Sequence, residues 1–201
     1  MTVEVETPEG LRRGSGVHQI WANNAMSILP DEAKRDWGGE GEAVAVELPN
    51  GKTLFALLRT VNPMREDMAR MSMAALDPAF KNDIVESAGR LSWGTGVHTT
   101  ADVAPSDYPL LVSFRDIANP KSVERVEPAN LAAAFGPGAR LRRIIIELTD
   151  DDVTTGIQKR LGWLRTHRGT LKPNPPQTTN DSSDPELRLL GTGPFSTELA
   201  E

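Results

Sequence analysis

The 201-residue chain contains no cysteine, only three histidines, and aromatic residues at 5% of its length. Without cysteine there is no disulfide framework, no thiolate nucleophile and no thiolate metal site. With aromatics this scarce and apolar residues at 38%, the core is expected to be aliphatic and not large. No stretch approaches the ~18 apolar residues that mark a membrane-spanning helix. The opening MTVEVETPEG also lacks the basic-then-apolar order of a signal peptide. A net charge of −6 disfavours a phosphate-backbone binder, so nucleic acid is not an expected partner. No internal repeat is visible.

Motifs for catalysis are missing as well. Gly14-Ser15-Gly16 lacks the spacing and the strand-to-helix setting of a nucleophile elbow. Gly94-Thr95-Gly96 and Gly191-Thr192-Gly193 are too short for a phosphate cradle and precede no credible helix. His18, His98 and His167 fall on a strand, a loop and a helix end, with no zinc-site spacing among them. The pattern therefore assigns no catalytic residue, no metal and no cofactor.

What is present reads first as strands. Thr2–Thr7 alternates with Val3 and Val5 on one side, and Pro8-Glu9-Gly10 turns the chain. Val17, Ile20 and Trp21 predict the partner strand of a wide hairpin, and a helical turn is expected over Asp31–Trp37. Glu42–Leu48 and Lys52–Arg59 flank Pro49-Asn50-Gly51. Asn-Gly between two apolar runs is a strong hairpin signal, because both residues tolerate positive φ. Leu110–Phe114 is an apolar run suited to a strand buried on both faces. Ile144-Ile145-Ile146, β-branched throughout, predicts a central strand lying inside a sheet.

Helices are fewer. Asn62-Pro63 opens one whose Met64, Met68 and Met71 form a stripe, read as a core face, and Asp77-Pro78 ends it. A further turn or so is expected within Lys81–Leu91. Pro128 stands as the first residue of a short helix ending at Gly136-Pro137-Gly138. Val153, Ile157, Leu161 and Leu164 keep helical spacing, with Asp150–Asp152 as an acidic first turn that caps the helix. From Thr170 the composition shifts to LKPNPPQTTNDSSDPE, which cannot bury enough apolar surface to offset its ordering entropy. Leu187, Leu189, Leu190 and Phe195 offer a last strand that docks back.

Four residues are candidates for ligand binding. Trp93 and His98 share a glycine-loosened loop, SWGTGVHTTADVAPS, and loops carry function disproportionately. Arg140 and Arg142 share one face of a strand while Arg143 points to the other. That pair either takes an anion or pairs with Glu124 and Glu127 across the sheet.

The segments TVEVETPEGLRRGSGV, GEAVAVELPNGKTLFALLR, SVERVEPANLAAAFGPGARLRRIIIELTDDDVTTGI and KRLGWL resemble a group of uncharacterised proteobacterial proteins, found mainly in alphaproteobacteria. The resemblance covers about half of the chain. Members of that group usually begin with a secretory or lipoprotein signal ahead of the TVEVETP segment. The resemblance therefore implies a mature domain of the periplasm or cell envelope, and it brings no assigned activity. Asn23–Gly39 and the C-terminal tail depart from the group.

The expected architecture is a single α+β domain over residues 1–169, an antiparallel hairpin-built sheet with two or three helices packed on it, followed by a partly ordered tail over 170–201. The expected function is that of a non-enzymatic envelope domain binding another protein or a small ligand. Two other classes compete: a hydrolase-like enzyme working through the loop histidine His98, and an acidic inhibitor or immunity-type protein that covers a basic partner.

Overall fold

Alternation in Thr2–Thr7 (β1) places Val3 and Val5 in the interior and Glu4 and Glu6 on the opposite face; the computed structural model describes residues 1–24, 35–49, 51–62, 67–171 and 184–199. After Pro8-Glu9 the chain doubles back as β2 (Gly10–Ser15), paired with β1 along its whole length. This corrects the wide hairpin expected to close on Val17, Ile20 and Trp21. Gly10–Ser15 has only Leu11 as a large apolar residue, so its pattern does not mark a strand; pairing with β1 makes it one. Gln19–Asn24 (β3) pairs instead with Arg35–Glu40 (β4) in a separate two-stranded ribbon. The helical turn expected over Asp31–Trp37 is therefore strand from Arg35 onward, and 31–34 lie outside the described residues.

Val44–Glu47 (β5) and Thr53–Thr60 (β6) form the antiparallel hairpin read from the sequence. Gly51 donates its N–H to the Leu48 carbonyl at 3.0 Å, and Asn50 lies outside the described residues. Pro109–Phe114 (β8) and Val123–Arg125 (β9) complete this sheet in the order β5-β6-β8-β9. The other four-stranded sheet has the order β2-β1-β10-β7, with Thr100–Asp102 as β7 and Arg140–Glu147 as β10. Every pairing is antiparallel. β10 is an interior strand as expected, with Ile144 and Ile146 buried. Ile145 points to the other face and is only half-buried, so the triple-isoleucine run is not enclosed on both sides.

The two sheets stack, and Val3, Val5, Val46, Leu54, Leu111 and Ile144 meet between them in an aliphatic core. At the corner, β2 crosses β5 at Gly14. A Cβ added there would lie 2.8 Å from the Ala45 carbonyl carbon and closer still to its oxygen. Only glycine permits that backbone approach. Met68–Leu76 (α1) and Ile84–Trp93 (α2) pack beside this core. α1 sends Met68, Met71 and Leu76 inward and Ala69 and Met73 toward Ile84 and the ribbon residues Ile20, Ala22 and Trp37. The methionine stripe is thus a core face, and Pro63 and Met64 lie outside the described residues. The short helix α3 (Leu131–Phe135) starts later than expected, because Pro128 sits in a turn ahead of it.

β6 is apolar on both faces, and its second face needs a cover. Phe55 and Leu57 of β6, with Leu110, Val112 and Phe114 of β8, pack against Ile157, Leu161, Leu164, Leu171, Leu187, Leu190 and Phe195. No α-helix forms over 153–164. Gly156 adopts φ 110°, a left-handed value that breaks helical continuity, and only a single 3₁₀ turn follows at Ile157–Lys159. Asp150–Asp152 consequently cap nothing, although the spacing of Ile157, Leu161 and Leu164 still buries all three. The C-terminal return is not a full strand either. Pro185–Arg188 (α4) is one helical turn, and Phe195–Thr197 makes a brief antiparallel pairing with Gly41–Ala43. Leu189 is exposed. Residues 172–183 of the proline- and serine-rich stretch lie outside the described residues. The aliphatic expectation holds for the first core only, since Phe55, Phe114, Trp163 and Phe195 gather in the second with ring centroids 5.6–6.3 Å apart.

Candidate functional site

Two clefts open on either side of a strip formed by His18 and Gly41-Glu42. The first, about 300 Å³, lies between the helix pair, the start of β3 and the end of β10. Ile20, Met68, Met73, Leu76, Leu91 and Ile146 supply its apolar wall, and His18, Gln19, Ser72 and Glu147 bring polar groups to it.

The helices are held in place by polar ties. Asp67 caps α1 by accepting from the Arg70 N–H at 2.8 Å, and the Arg70 guanidinium stands 4.7 Å from the centre of the Trp37 ring. Asp77, 1% exposed, ends α1 and fixes α2 to it. Its carboxylate accepts from Ser87 Oγ at 2.6 Å, from Arg90 Nε and Nη2 at 2.9 and 2.6 Å, and from the Ala79 N–H at 3.0 Å. Burial pushes the Asp77 carboxyl upward, but the donors from Arg90, Ser87 and Ala79 outweigh it and hold the group below the usual carboxylate range.

His18 is the perturbed base of the first cleft. Burial drives its imidazole down to about 4, against the opposing pull of the Glu42 carbonyl, so the ring is neutral at pH 7. Nε2 lies 2.8 Å from that carbonyl oxygen. A carbonyl can only accept, so Nε2 carries the proton and Nδ1 is left as an acceptor. Ring packing is tight: a Cβ on Gly41 would sit 3.1 Å from His18 Cγ.

The second cleft, about 440 Å³, is bounded by Gly39–Glu42, Val153–Thr155 and Thr197-Glu198. Its walls are pinned to one another. Val17 and Thr154 exchange two hydrogen bonds at 2.8 and 3.1 Å, the Gly41 N–H donates to Thr197 Oγ1 at 3.0 Å, and the Ile157 N–H donates to Glu42 Oε2 at 2.7 Å. Glu42 thus partitions the two clefts, its carbonyl serving His18 on one side and its carboxylate reaching the loop on the other.

The four candidates from the sequence are not brought together. Trp93 ends α2 with 87% of its surface exposed. His98 is exposed, its backbone N–H donating to the Leu76 carbonyl at 2.7 Å, and its ring has no hydrogen-bond partner among the described residues. Leu148 beside it bonds to Thr99, whereas Arg140 starts β10, so the arginines and the His98 loop stand at opposite ends of an eight-residue strand roughly 25 Å long.

Arg140 pairs with Glu6 and Arg142 with Glu4, the latter at 3.6 Å. The expected partners Glu124 and Glu127 belong to the other sheet and its flank, where they pair with Arg115 and Arg125. The expected split of Arg142 from Arg143 also fails. A bulge opposite Glu4 and Val5 makes Arg142 the extra residue, so both neighbours reach the buried Glu4 carboxylate. Arg13 joins them at 2.7 Å. The Arg143 and Arg13 hydrogen bonds hold the Glu4 carboxyl below its ordinary range despite its burial.

Sequence reasoning passed over Glu42, Asp77 and the true setting of His18. Apart from the Ala79 N–H on Asp77, their partners are 10 to 115 residues away, and no spacing rule reaches that far. Among the described residues no group of three or more His, Asp or Glu stands where it could hold a metal ion, and no helix is long and apolar enough to cross a membrane. No family model, curated protein or solved structure matches the chain.

Proposed function

We propose that this chain is a non-catalytic binding domain whose cleft between the helix pair and β10 takes a small, largely apolar ligand with a polar end. The observation that carries the reading is the lining of that cleft: Ile20, Met68, Met73, Leu76, Leu91 and Ile146 stand in it beside the polar groups of His18, Gln19, Ser72 and Glu147. A concave, mostly apolar pocket with a few convergent polar groups is the usual form of a small-molecule site. Met68 and Met73 contribute flexible, polarizable surface, which suits a ligand of variable shape. His18 supports binding over acid–base work, because burial lowers its imidazole to about 4 and leaves the free Nδ1 a weak base. An envelope setting follows from the sequence resemblance.

The test is titration with the neutral fluorophore N-phenyl-1-naphthylamine, beside an Ala88→Phe variant that fills the cleft from α2. Saturable one-to-one enhancement in the wild type, lost in the variant, is the expected result. Equal enhancement in both, or none in the wild type, removes the assignment.

A further inference from the structure

The apolar cleft between the helix pair and β10 holds two polar atoms that the chain itself leaves unpaired. Ser72 of α1 is 5% exposed and lines the cleft. A serine within a helix points its hydroxyl to solvent or back onto the carbonyl one turn earlier. Ser92 does the latter, donating to the Ala88 carbonyl at 2.8 Å. The Ser72 hydroxyl does not, and it has no hydrogen-bond partner among the described residues. Among those residues the unpartnered side-chain atoms that are wholly enclosed are Arg12 Nε and Glu42 Oε1. Ser72 Oγ is not one of them, so it keeps contact with open space, and the cleft is the space that Ser72 lines.

His18 supplies the second atom. Its Cδ2 edge packs beside Gly41 and its Nε2 bonds to the Glu42 carbonyl, which leaves Nδ1 on the other side of the ring. Nδ1 also escapes enclosure, and with the proton on Nε2 it only accepts. The other polar side chains of the cleft, Gln19, Ser92, Glu147 and Thr149, are exposed and stand at its rim.

Charge narrows the polar end of the ligand. No lysine or arginine is among the described residues that line the cleft. The Met1 amino group there donates to the Gly16 carbonyl at 2.8 Å and sits in the field of Glu147. A carboxylate therefore meets no free cation and one rim carboxylate. An ammonium drawn in as far as Ser72 loses its hydration without a counter-charge beside it. An uncharged hydroxyl suits both enclosed atoms: Ser72 Oγ donates or accepts, and Nδ1 takes a proton donor.

Resting on the reading of this cleft as a small-ligand site, we propose that its ligand is an uncharged aliphatic alcohol. The hydroxyl pairs with Ser72 Oγ and has His18 Nδ1 as the acceptor for its proton, and the chain lies on Ile20, Met73 and Leu91.

Three probes with one chain length test it: 1-octanol, sodium octanoate and octylammonium chloride, each titrated by calorimetry at neutral pH. Ser72→Ala removes a hydroxyl that supports nothing else, and alanine is the best helix former, so its melting temperature should not fall. The wild type should bind octanol saturably and ~10-fold or more tighter than either ion. Ser72→Ala should weaken octanol ~3- to 10-fold, the scale of one neutral hydrogen bond. N-phenyl-1-naphthylamine, held by the apolar wall, should bind both proteins alike. Octanoate or octylammonium binding as tightly as octanol overturns the proposal, and so does equal octanol binding by Ser72→Ala; fluorophore enhancement in either case leaves the cleft assignment standing. Absence of both octanol saturation and fluorophore enhancement overturns the two together. A markedly lower melting temperature for Ser72→Ala would give the hydroxyl a structural partner and overturns the proposal as well.

Discussion

The outer face of the β2-β1-β10-β7 sheet carries Arg13, Glu4, Arg142, Arg143 and Asp102 in one ionic row, whereas that of the β5-β6-β8-β9 sheet carries Phe55, Leu57, Leu110, Val112 and Phe114. Both sheets share the same aliphatic interior, so the difference lies in how each is finished on the outside. The first finishes itself: arginines fold over a glutamate and meet water. The second cannot, because five large apolar side chains left in water would each forgo roughly 1.5–3 kcal/mol of burial. Ile157, Leu161, Leu164, Leu171, Leu187, Leu190 and Phe195 therefore belong to the core and are not an appendage to it. The ionic face, by contrast, rests on pairs that contribute little wherever they are exposed.

The apolar face is the easier to break. Phe195 is fully buried and touches the rings of Phe55, Phe114 and Trp163. Phe195→Ala is expected to cost about 3–5 kcal/mol, read as a drop in the urea midpoint at constant slope. A loss of under ~0.5 kcal/mol, the size of a surface change, would mean the C-terminal segment does not cover this sheet.

Forcing the two sheets apart comes next. Gly14→Ala sets a methyl group against the Ala45 backbone, which has no rotamer by which to yield. A cost of about 1–3 kcal/mol is expected, as for overpacking. An unchanged melting temperature would rule out the close crossing of β2 over β5.

Acid distinguishes the ionic face from the apolar one. The Glu4 and Asp77 carboxyls are held below their ordinary range in the folded chain. A depressed folded value means the unfolded chain binds protons first as pH falls. Their contribution is complete above the usual carboxylate pKa of about 4 and is lost as pH drops through the depressed values. His18 adds a separate limb at higher pH: lowered from 6.5 to about 4, it gives stability that is complete above 6.5 and declines as pH falls toward 4. Stability measured from pH 8 to 2 should show both limbs. Glu4→Gln should flatten the lower one, and His18→Phe the upper. Identical pH profiles for the wild type and Glu4→Gln would show that the arginine cluster does not hold its charge.

The smallest effect is expected at the solvent edge of the ionic row. Arg140 is 77% exposed at its side chain and pairs with Glu6. Arg140→Ala should change stability by no more than ~0.5 kcal/mol, since exposed pairs are screened and entropically costly. A loss several times larger would show the row acting as a unit and would narrow the contrast between the two faces.

The sequence by itself determined the elements whose pattern is local. Alternation made β1, the runs around Pro49-Gly51 made the β5–β6 hairpin, and the apolar density of Leu110–Phe114 and Ile144–Ile146 marked two interior strands. In each case the side-chain period and the turn chemistry lie within a dozen residues, where steric preference and burial agree. Tertiary structure decided the rest. Gly10–Ser15 is a strand because β1 offers it a complete ladder. Residues 153–164 keep helical spacing without a helix, because Gly156 and the shape of the Phe55–Phe114 face favour separate turns. One bulge sends both Arg142 and Arg143 to Glu4, and Glu42 acquires a buried oxygen beside a loop 115 residues away. Such features depend on which surfaces meet, and a linear pattern carries no record of contacts made across that separation.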